Sequence, residues 1–299
     1  IAKKDRQAIM GEGGILGAHA PKTGINHSWW LKAFMASATY KVTDKFGVLG
    51  DFVYNEEGSH LNKYSTGSNP NIKKSKIPSA SFGVFFNHDL FSVVSKATYI
   101  NRDQYRTTVN FSNPKNPAQV ERATTSYDIQ TIGWTTDILS KPFKGFELHL
   151  LFTYQIPKYK DFTGNVDFGG GQVEKFDFSD KIVTGVPKIL IEIDPSYRWN
   201  QFKVWASVRY FSKQYFNKPN TLYMEPRWET FAGVSYKISS NFDINISCTN
   251  LFNQRGANGS MPDGDLVIDP QDVAKKKGQI MSGSYIIPFT TQFGLKYRF

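Results

Sequence analysis

Apolar and polar residues alternate one by one through long stretches of this chain, and that pattern leaves few folds open. From Phe242 the even positions run Phe242, Ile244, Ile246 and Cys248, against Asp243, Asn245, Ser247 and Thr249. Phe202, Val204, Ala206, Val208 and Tyr210 oppose Lys203, Ser207 and Arg209, with Trp205 and Phe211 as apolar exceptions on the polar side. Leu148, Leu150, Phe152, Tyr154 and Ile156 oppose Glu147, His149, Thr153 and Gln155. The last segment sets Tyr285, Ile287, Phe289, Phe293, Leu295, Tyr297 and Phe299 against Thr290, Gln292, Lys296 and Arg298. Period two means strands, each with one apolar and one polar face.

Read throughout in this way, the chain holds about eleven strands, near 29–42, 46–56, 77–87, 90–102, 127–139, 146–157, 186–199, 200–214, 226–238, 241–251 and 284–299. Many exceed the usual strand of about 5–6 residues. They suit the roughly 9–11 tilted residues that cross a bilayer. The connections sharpen the reading. Thr43–Lys45, His88–Asp89, Ser140–Gly145, the Trp199–Asn200 junction and Ser239–Ser240 are short. Between them lie Glu57–Lys76, Asp103–Ser126, Pro157–Gly185, Tyr215–Glu225 and Phe252–Gly283, all longer. Short and long alternate without exception. A membrane barrel does this, with tight periplasmic turns and long extracellular loops. A soluble β-sandwich predicts shorter strands and mixed loop lengths, and a solenoid would show a fixed repeat.

Composition agrees. Aromatic residues make up 15% of the 299 residues, yet the mean hydropathy is −0.41, because the rings are interleaved with polar side chains. Trp30, Tyr40, Phe46, Tyr54, Tyr99, Tyr197, Trp199, Trp228 and Tyr236 sit near strand ends, as interfacial girdles require. No apolar run approaches the ~18 residues of a spanning helix, and no signal peptide opens the chain. The single Cys248 excludes an internal disulfide framework. The net charge of +10 is scattered, with clusters only at Lys73, Lys74 and Lys76 and at Lys275 to Lys277, so nucleic acid is not an expected partner.

Direction follows from the turns. The first strand enters a short turn and so descends to the periplasm, and the last strand descends too. Single-chain bacterial barrels have an even strand count, so an odd set that starts outside reads as part of a larger barrel. Residues 1–27, with Gly11, Gly13, Gly14 and Pro21, read as the tail of an extracellular loop. The whole of 1–299 is then one partial transmembrane β-barrel domain, all-β and antiparallel.

Thr249–Asn250–Leu251–Phe252–Asn253 resembles the asparagine–leucine–phenylalanine signature in the penultimate strand of TonB-dependent outer-membrane receptors. Gly294–Leu295–Lys296–Tyr297–Arg298–Phe299 is similar to their final strand. Asn101–Arg102–Asp103 with Tyr105, and Gly185–Val186–Pro187–Lys188, are also similar to that family. The resemblance implies the C-terminal half of a barrel of about 22 strands around an N-terminal plug. It implies energy-coupled import of a scarce solute: a metal chelate, cobalamin, an oligosaccharide or a peptide. Implied partners are outer-membrane lipid, the TonB complex acting through a plug not in this sequence, a possible surface lipoprotein co-receptor, and the barrel-assembly machinery. The last would read Phe293, Leu295, Tyr297 and Phe299. A passive porin or smaller closed barrel, and a structural or adhesive barrel, remain as rivals.

The long segment Asp103–Ser126 offers Tyr105, Arg106, Phe111 and Arg122 as substrate-contact candidates. Tyrosine stacks on sugars or aromatic ligands, and arginine pairs with carboxylate or phosphate. Pro114 and Pro117 lie in the same segment. No enzyme is expected, nor any cofactor or metal. His19, His27, His60, His88 and His149 are far apart in sequence, and no Asp/His or Ser/His couple on facing strands stands out. Asp263, Asp265 and Asp269 lack the order of a calcium loop. Gly169–Gly170–Gly171 reads as a flexible loop without the strand-to-helix setting of a phosphate cradle, and no serine sits in a nucleophile elbow.

Overall fold

The computed structural model describes residues 2–11, 22–58, 73–116, 118–258 and 284–298. The chain forms β1 (Ala2–Gly11), β2 (Lys22–Leu31), β3 (Ala33–Lys41), β4 (Phe46–Glu57), β5 (Ser75–Asn87) and β6 (Phe91–Ser112). Next come β7 (Val120–Ser140), β8 (Phe146–Lys160), β9 (Thr163–Asp167), β10 (Val173–Asp177), β11 (Ile189–Trp199) and β12 (Phe202–Phe211). The remainder are β13 (Gln214–Tyr215), β14 (Tyr223–Met224), β15 (Arg227–Lys237), β16 (Phe242–Thr249), β17 (Ala257–Asn258), β18 (Ser284–Tyr285) and β19 (Thr290–Tyr297). One antiparallel sheet of eleven strands, in the order β19-β16-β15-β12-β11-β8-β7-β6-β5-β4-β3, carries the fold. No described helix is long and apolar enough to cross a membrane, which says nothing of strands.

The register turns the alternation into two continuous surfaces. Tyr154, Trp134, Ala97, Phe82, Gly50 and Ala38 are direct cross-strand neighbours from β8 to β3. In the other half of the sheet, Phe146, Tyr197, Val204, Val234, Ile246 and Phe293 continue the same apolar face to β19. These rows are exposed although apolar: Phe82 is 65% exposed, Trp134 46%, Val204 48%, Ile246 46% and Phe293 65%. An apolar surface this extensive is a burial site for something outside the chain. Hydrocarbon is the partner that a barrel supplies. The opposite face carries Ser37, Asp51, Ser81, Thr98, Gly133 and Gln155 in one row. Asp51 there accepts from Ser37 Oγ at 2.6 Å and from Ser81 Oγ at 2.9 Å. This is the lumen face.

Trp205 and Phe211, the apolar residues of β12 on that face, have local reasons. The Trp205 indole lies over Gly233, where an added Cβ would come within 2.7 Å of the ring, so glycine makes room for the only tryptophan in that strand. Phe211 lies beneath the Arg227 guanidinium, 4.4 Å from the ring centroid.

Short turns join the strands along one edge of the sheet. At the other edge, several segments expected to be irregular are themselves β-structure. β6 and β7 run 22 and 21 residues, about twice what a bilayer needs, so their hairpin stands well clear of the membrane. The register shifts between Arg102 and Tyr105, and Gln104 has φ 59°. Asp103 Oδ1 accepts from Lys76 N at 2.5 Å, and Asp128 Oδ1 accepts from Gln104 N at 3.0 Å. This pinned bulge re-aims the strand where the wall ends. Pro157–Gly185 likewise resolves into the top of β8 and the β9–β10 hairpin. Gly169, Gly170 and Gly171 all have positive φ. They form the tight turn of that hairpin, closed by Asp167 Oδ1 accepting from Gly169 N at 2.8 Å, in place of the flexible loop expected. Residues 2–11 and 22–31 also pair as a hairpin, where a loop tail was expected.

The main buried core lies out here and not in the wall. Val109, Phe111, Ala123, Tyr159, Phe162, Val166, Phe168, Phe176 and Phe178 pack together. A lumenless half-wall has no interior of its own, whereas two stacked hairpins do. Gln119 Nε2 donates to Phe168 O and Gln172 Nε2 to Asn113 Oδ1, both at 2.9 Å, so the tips of the two hairpins are tied.

Candidate functional site

The candidate site is the polar face of the sheet and the end of the wall that carries the long connections. Along β7 the odd positions from Gly133 up to Ala123 stay on the lumen side, so residues opposite them on β6 do too. Tyr105 pairs with Tyr127 and stacks on it at 5.5 Å. Arg102 covers Tyr105 at 4.6 Å and is ion-paired to Glu57. Phe111 is on the same side, but only 5% exposed within the aromatic core. It belongs to that core and also lines a cavity beside it. Arg106 and Arg122 lie opposite Ser126 and Asn110, on the outer side. Burial lowers the Arg106 pKa from its usual value, and Arg122 is exposed. The four candidates therefore form no single constellation: two point to the lumen side and two away from it.

Register brings together charged residues that sequence spacing kept apart. Glu192 faces both Leu151 and Arg209, and Arg209 faces Glu229. Arg227 Nε donates to Glu229 Oε1 at 3.1 Å and its Nη1 to Gln214 Oε1 at 3.2 Å. Lower on the wall, His149 Nδ1 is 3.2 Å from Asp194 Oδ2, and Nε2 is 3.1 Å from Asp137 Oδ1. This corrects the expectation that no Asp/His couple occurs on facing strands. Both ring nitrogens are engaged by carboxylates, so neither is left to activate a hydroxyl. The group clamps β7, β8 and β11 and has no catalytic form. Among the described residues, no group of three or more His, Cys, Asp or Glu could hold a metal.

Two cavities open at the mouth. One, of 420 Å³, is lined by Phe216, Leu222, Tyr223, Glu225, Arg227 and Arg255, among others. Arg227 uses two of its five N–H donors on Glu229 and Gln214. Lys213 lies 3.9 Å over the Tyr223 ring. The other cavity, of 250 Å³, is walled by Phe111, Phe168, Phe176 and Phe178 beside Glu174 and Lys175. Aromatic walls with a few charged groups are the usual make-up of a small-ligand site. Neither was foreseen, because each joins segments that the sequence reading left as separate loops.

The asparagine signature has a structural explanation. Asn250 has φ 55° and is 2% exposed. Its Nδ2 donates to Gln254 O at 2.8 Å and Ile287 O at 3.0 Å, while Oδ1 accepts from Gln254 N at 2.7 Å. Asn253 Oδ1 accepts from Phe289 N at 3.2 Å. Together they latch the end of β16 to the chain entering β19. Phe293, Leu295 and Tyr297 share the exposed outer face of β19, and Phe299 lies outside the described residues.

No protein-family model and no curated protein matches this sequence. Solved structures do. The chain is similar to the siderophore receptor PiuA from Acinetobacter baumannii, with TM-score 0.64 and 14% identity over 95% of this chain and 38% of that one. It is similar to the copper transporter OprC, with TM-score 0.66 and 12% identity over 94% of this chain and 42% of the other. The ferric yersiniabactin uptake receptor FyuA from Yersinia pestis gives TM-score 0.66 and 11% identity, covering 94% and 39%. The chain has the barrel fold of the TonB-dependent outer-membrane receptors. It spans well under half the length of these solved receptors, and at such low identity the likeness concerns the fold.

Proposed function

We propose that residues 1–299 form the C-terminal half of the barrel of a receptor that imports a scarce solute by TonB-dependent transport. The observation that carries this reading is the asymmetry of the two sheet edges. One has short turns. The other carries structured hairpins with their own aromatic core and two open cavities beside a polar, charged wall. A passive pore has little use for a packed superstructure at its mouth, whereas a capture step does. The solved proteins with this fold are named as siderophore receptors, a copper transporter and a ferric chelate uptake receptor, which favours a metal chelate over cobalamin, oligosaccharide or peptide. Tyr105 with Arg102, and Tyr223 with Arg227 and Arg255, are the contact residues this reading selects. The TonB complex would act through a plug domain outside this sequence. Outer-membrane lipid, the barrel-assembly machinery and a surface lipoprotein are the other proposed partners.

Cells carrying or lacking the gene for this protein, each with and without TonB, test the proposal with labelled ferric and cupric chelates, cobalamin, oligosaccharides and peptides. The expected result is accumulation of one class only when both the gene and TonB are present. Uptake that survives loss of TonB would replace this reading with a passive porin. Surface adhesion without uptake would point to a structural barrel.

A further inference from the structure

At the short-turn end of the wall, β6, β7, β8 and their turns form an outward-facing groove of 340 Å³ lined by Leu90, Phe91, Ile138, Phe143, Phe146 and Leu148, together with Ser140 and Lys141. Its shape is fixed by hydrogen bonds. Lys141 N donates to Leu90 O at 2.7 Å, joining one turn to its neighbour. Phe143 and Phe146 exchange backbone bonds at 3.0 and 2.9 Å, and Leu148 N donates to Ser140 Oγ at 2.6 Å. A two-residue turn would have closed this edge. Instead Ser140–Gly145 reaches outward and leaves Leu90 and Phe143 more than half exposed. The Lys141 ammonium has no carboxylate partner among the described residues, and Lys144 Nζ lies 5.5 Å over the Phe143 ring. The nearby carboxylate of Asp89 is offset by Lys45 at 3.7 Å.

An apolar slot on the outward face, with the exposed Lys141 among its lining residues at the short-turn end of the strands, is complementary to one molecule type. We propose that this groove is a binding site for a single anionic glycerophospholipid of the periplasm-facing leaflet, with an acyl chain against Leu90, Phe143 and Phe146 and its phosphate on Lys141. Lipid on the rest of the wall is exchangeable solvent; here it is a ligand. The site rests on the barrel and its sidedness and is independent of what the receptor imports.

The test is native mass spectrometry of the whole receptor, delipidated in mild detergent and titrated with phosphatidylglycerol or phosphatidylcholine. One phosphatidylglycerol should be retained at saturation, ahead of phosphatidylcholine. Lys141→Ala should weaken it about fivefold, and Phe143→Ser should also weaken it. Lys237→Ala, at another short turn, should leave binding unchanged. Inorganic phosphate should not compete, because it has no chain for the groove. Equal losses from Lys141→Ala and Lys237→Ala, equal retention of both lipids, or displacement by phosphate would each overturn the proposal.

Discussion

Phe162→Ala should loosen the hairpin superstructure by about 3–5 kcal/mol, the range for truncating a fully buried phenylalanine. Phe162 is 0% exposed. It stacks on Tyr127 at 4.4 Å and meets Tyr159 at 5.1 Å and Phe178 at 5.4 Å edge-on. Removing the ring leaves a cavity at the centre of the cluster that joins β7, β8 and the β9–β10 hairpin. The loss should be local. Amide exchange or protease cutting within 161–185 should accelerate strongly, while the wall keeps its heat-modifiable mobility on gels. If protection there is unchanged, the aromatic cluster is not what holds the hairpins together. If the wall unfolds as well, the superstructure is not a separate cooperative unit.

Ile246→Arg should cost about 2–4 kcal/mol near the bilayer midplane, and Ser247→Arg much less. The two residues are consecutive in β16 and so share a depth, but they face opposite ways. Ile246 lies between Val234 and Phe293 on the apolar face. Ser247 lies between Gly233 and Gln292 on the lumen face, where a guanidinium stays in water. Folding titrations into lipid vesicles measure both. Equal costs would mean that the sheet does not separate hydrocarbon from a wet interior.

The wall was legible in the sequence because lipid forces strict alternation on every strand, and the five short turns set its order. All eleven expected strands appear in the sheet, most with ends shifted by a few residues, but β6 runs ten residues past its expected end, β7 starts seven before its expected start and β19 starts six after its own. The superstructure was harder to read. Val109 and Phe111, and Phe176 and Phe178, also alternate, but over runs too short to stand out beside Pro114, Pro117 and the glycine triplet. Their partners come from another loop, so neither half shows an amphipathic surface alone. The same limit hid the mouth. Arg227 and Arg255 are 28 positions apart in sequence and meet only because Gly256 packs beside the Arg227 side chain, with Ile286 closing over it. His149 looked isolated for a related reason. Asp137 and Asp194 reach it through register, and a one-residue slip would turn all three away.

The proposed function requires that this sheet be completed by further strands. β3 and β19 are its two edges. Both run toward the short-turn side, so joining them would require a parallel pair, which single-chain bacterial barrels avoid. In hydrocarbon each unpaired edge group costs several kcal/mol, and in water such edges recruit other chains. Expressing residues 1–299 alone and refolding them in detergent tests this directly. The expected result is aggregates or ill-defined oligomers without heat-modifiable mobility. A monodisperse, protease-resistant, heat-modifiable β-rich monomer would contradict it, and would make this chain a small closed barrel in its own right.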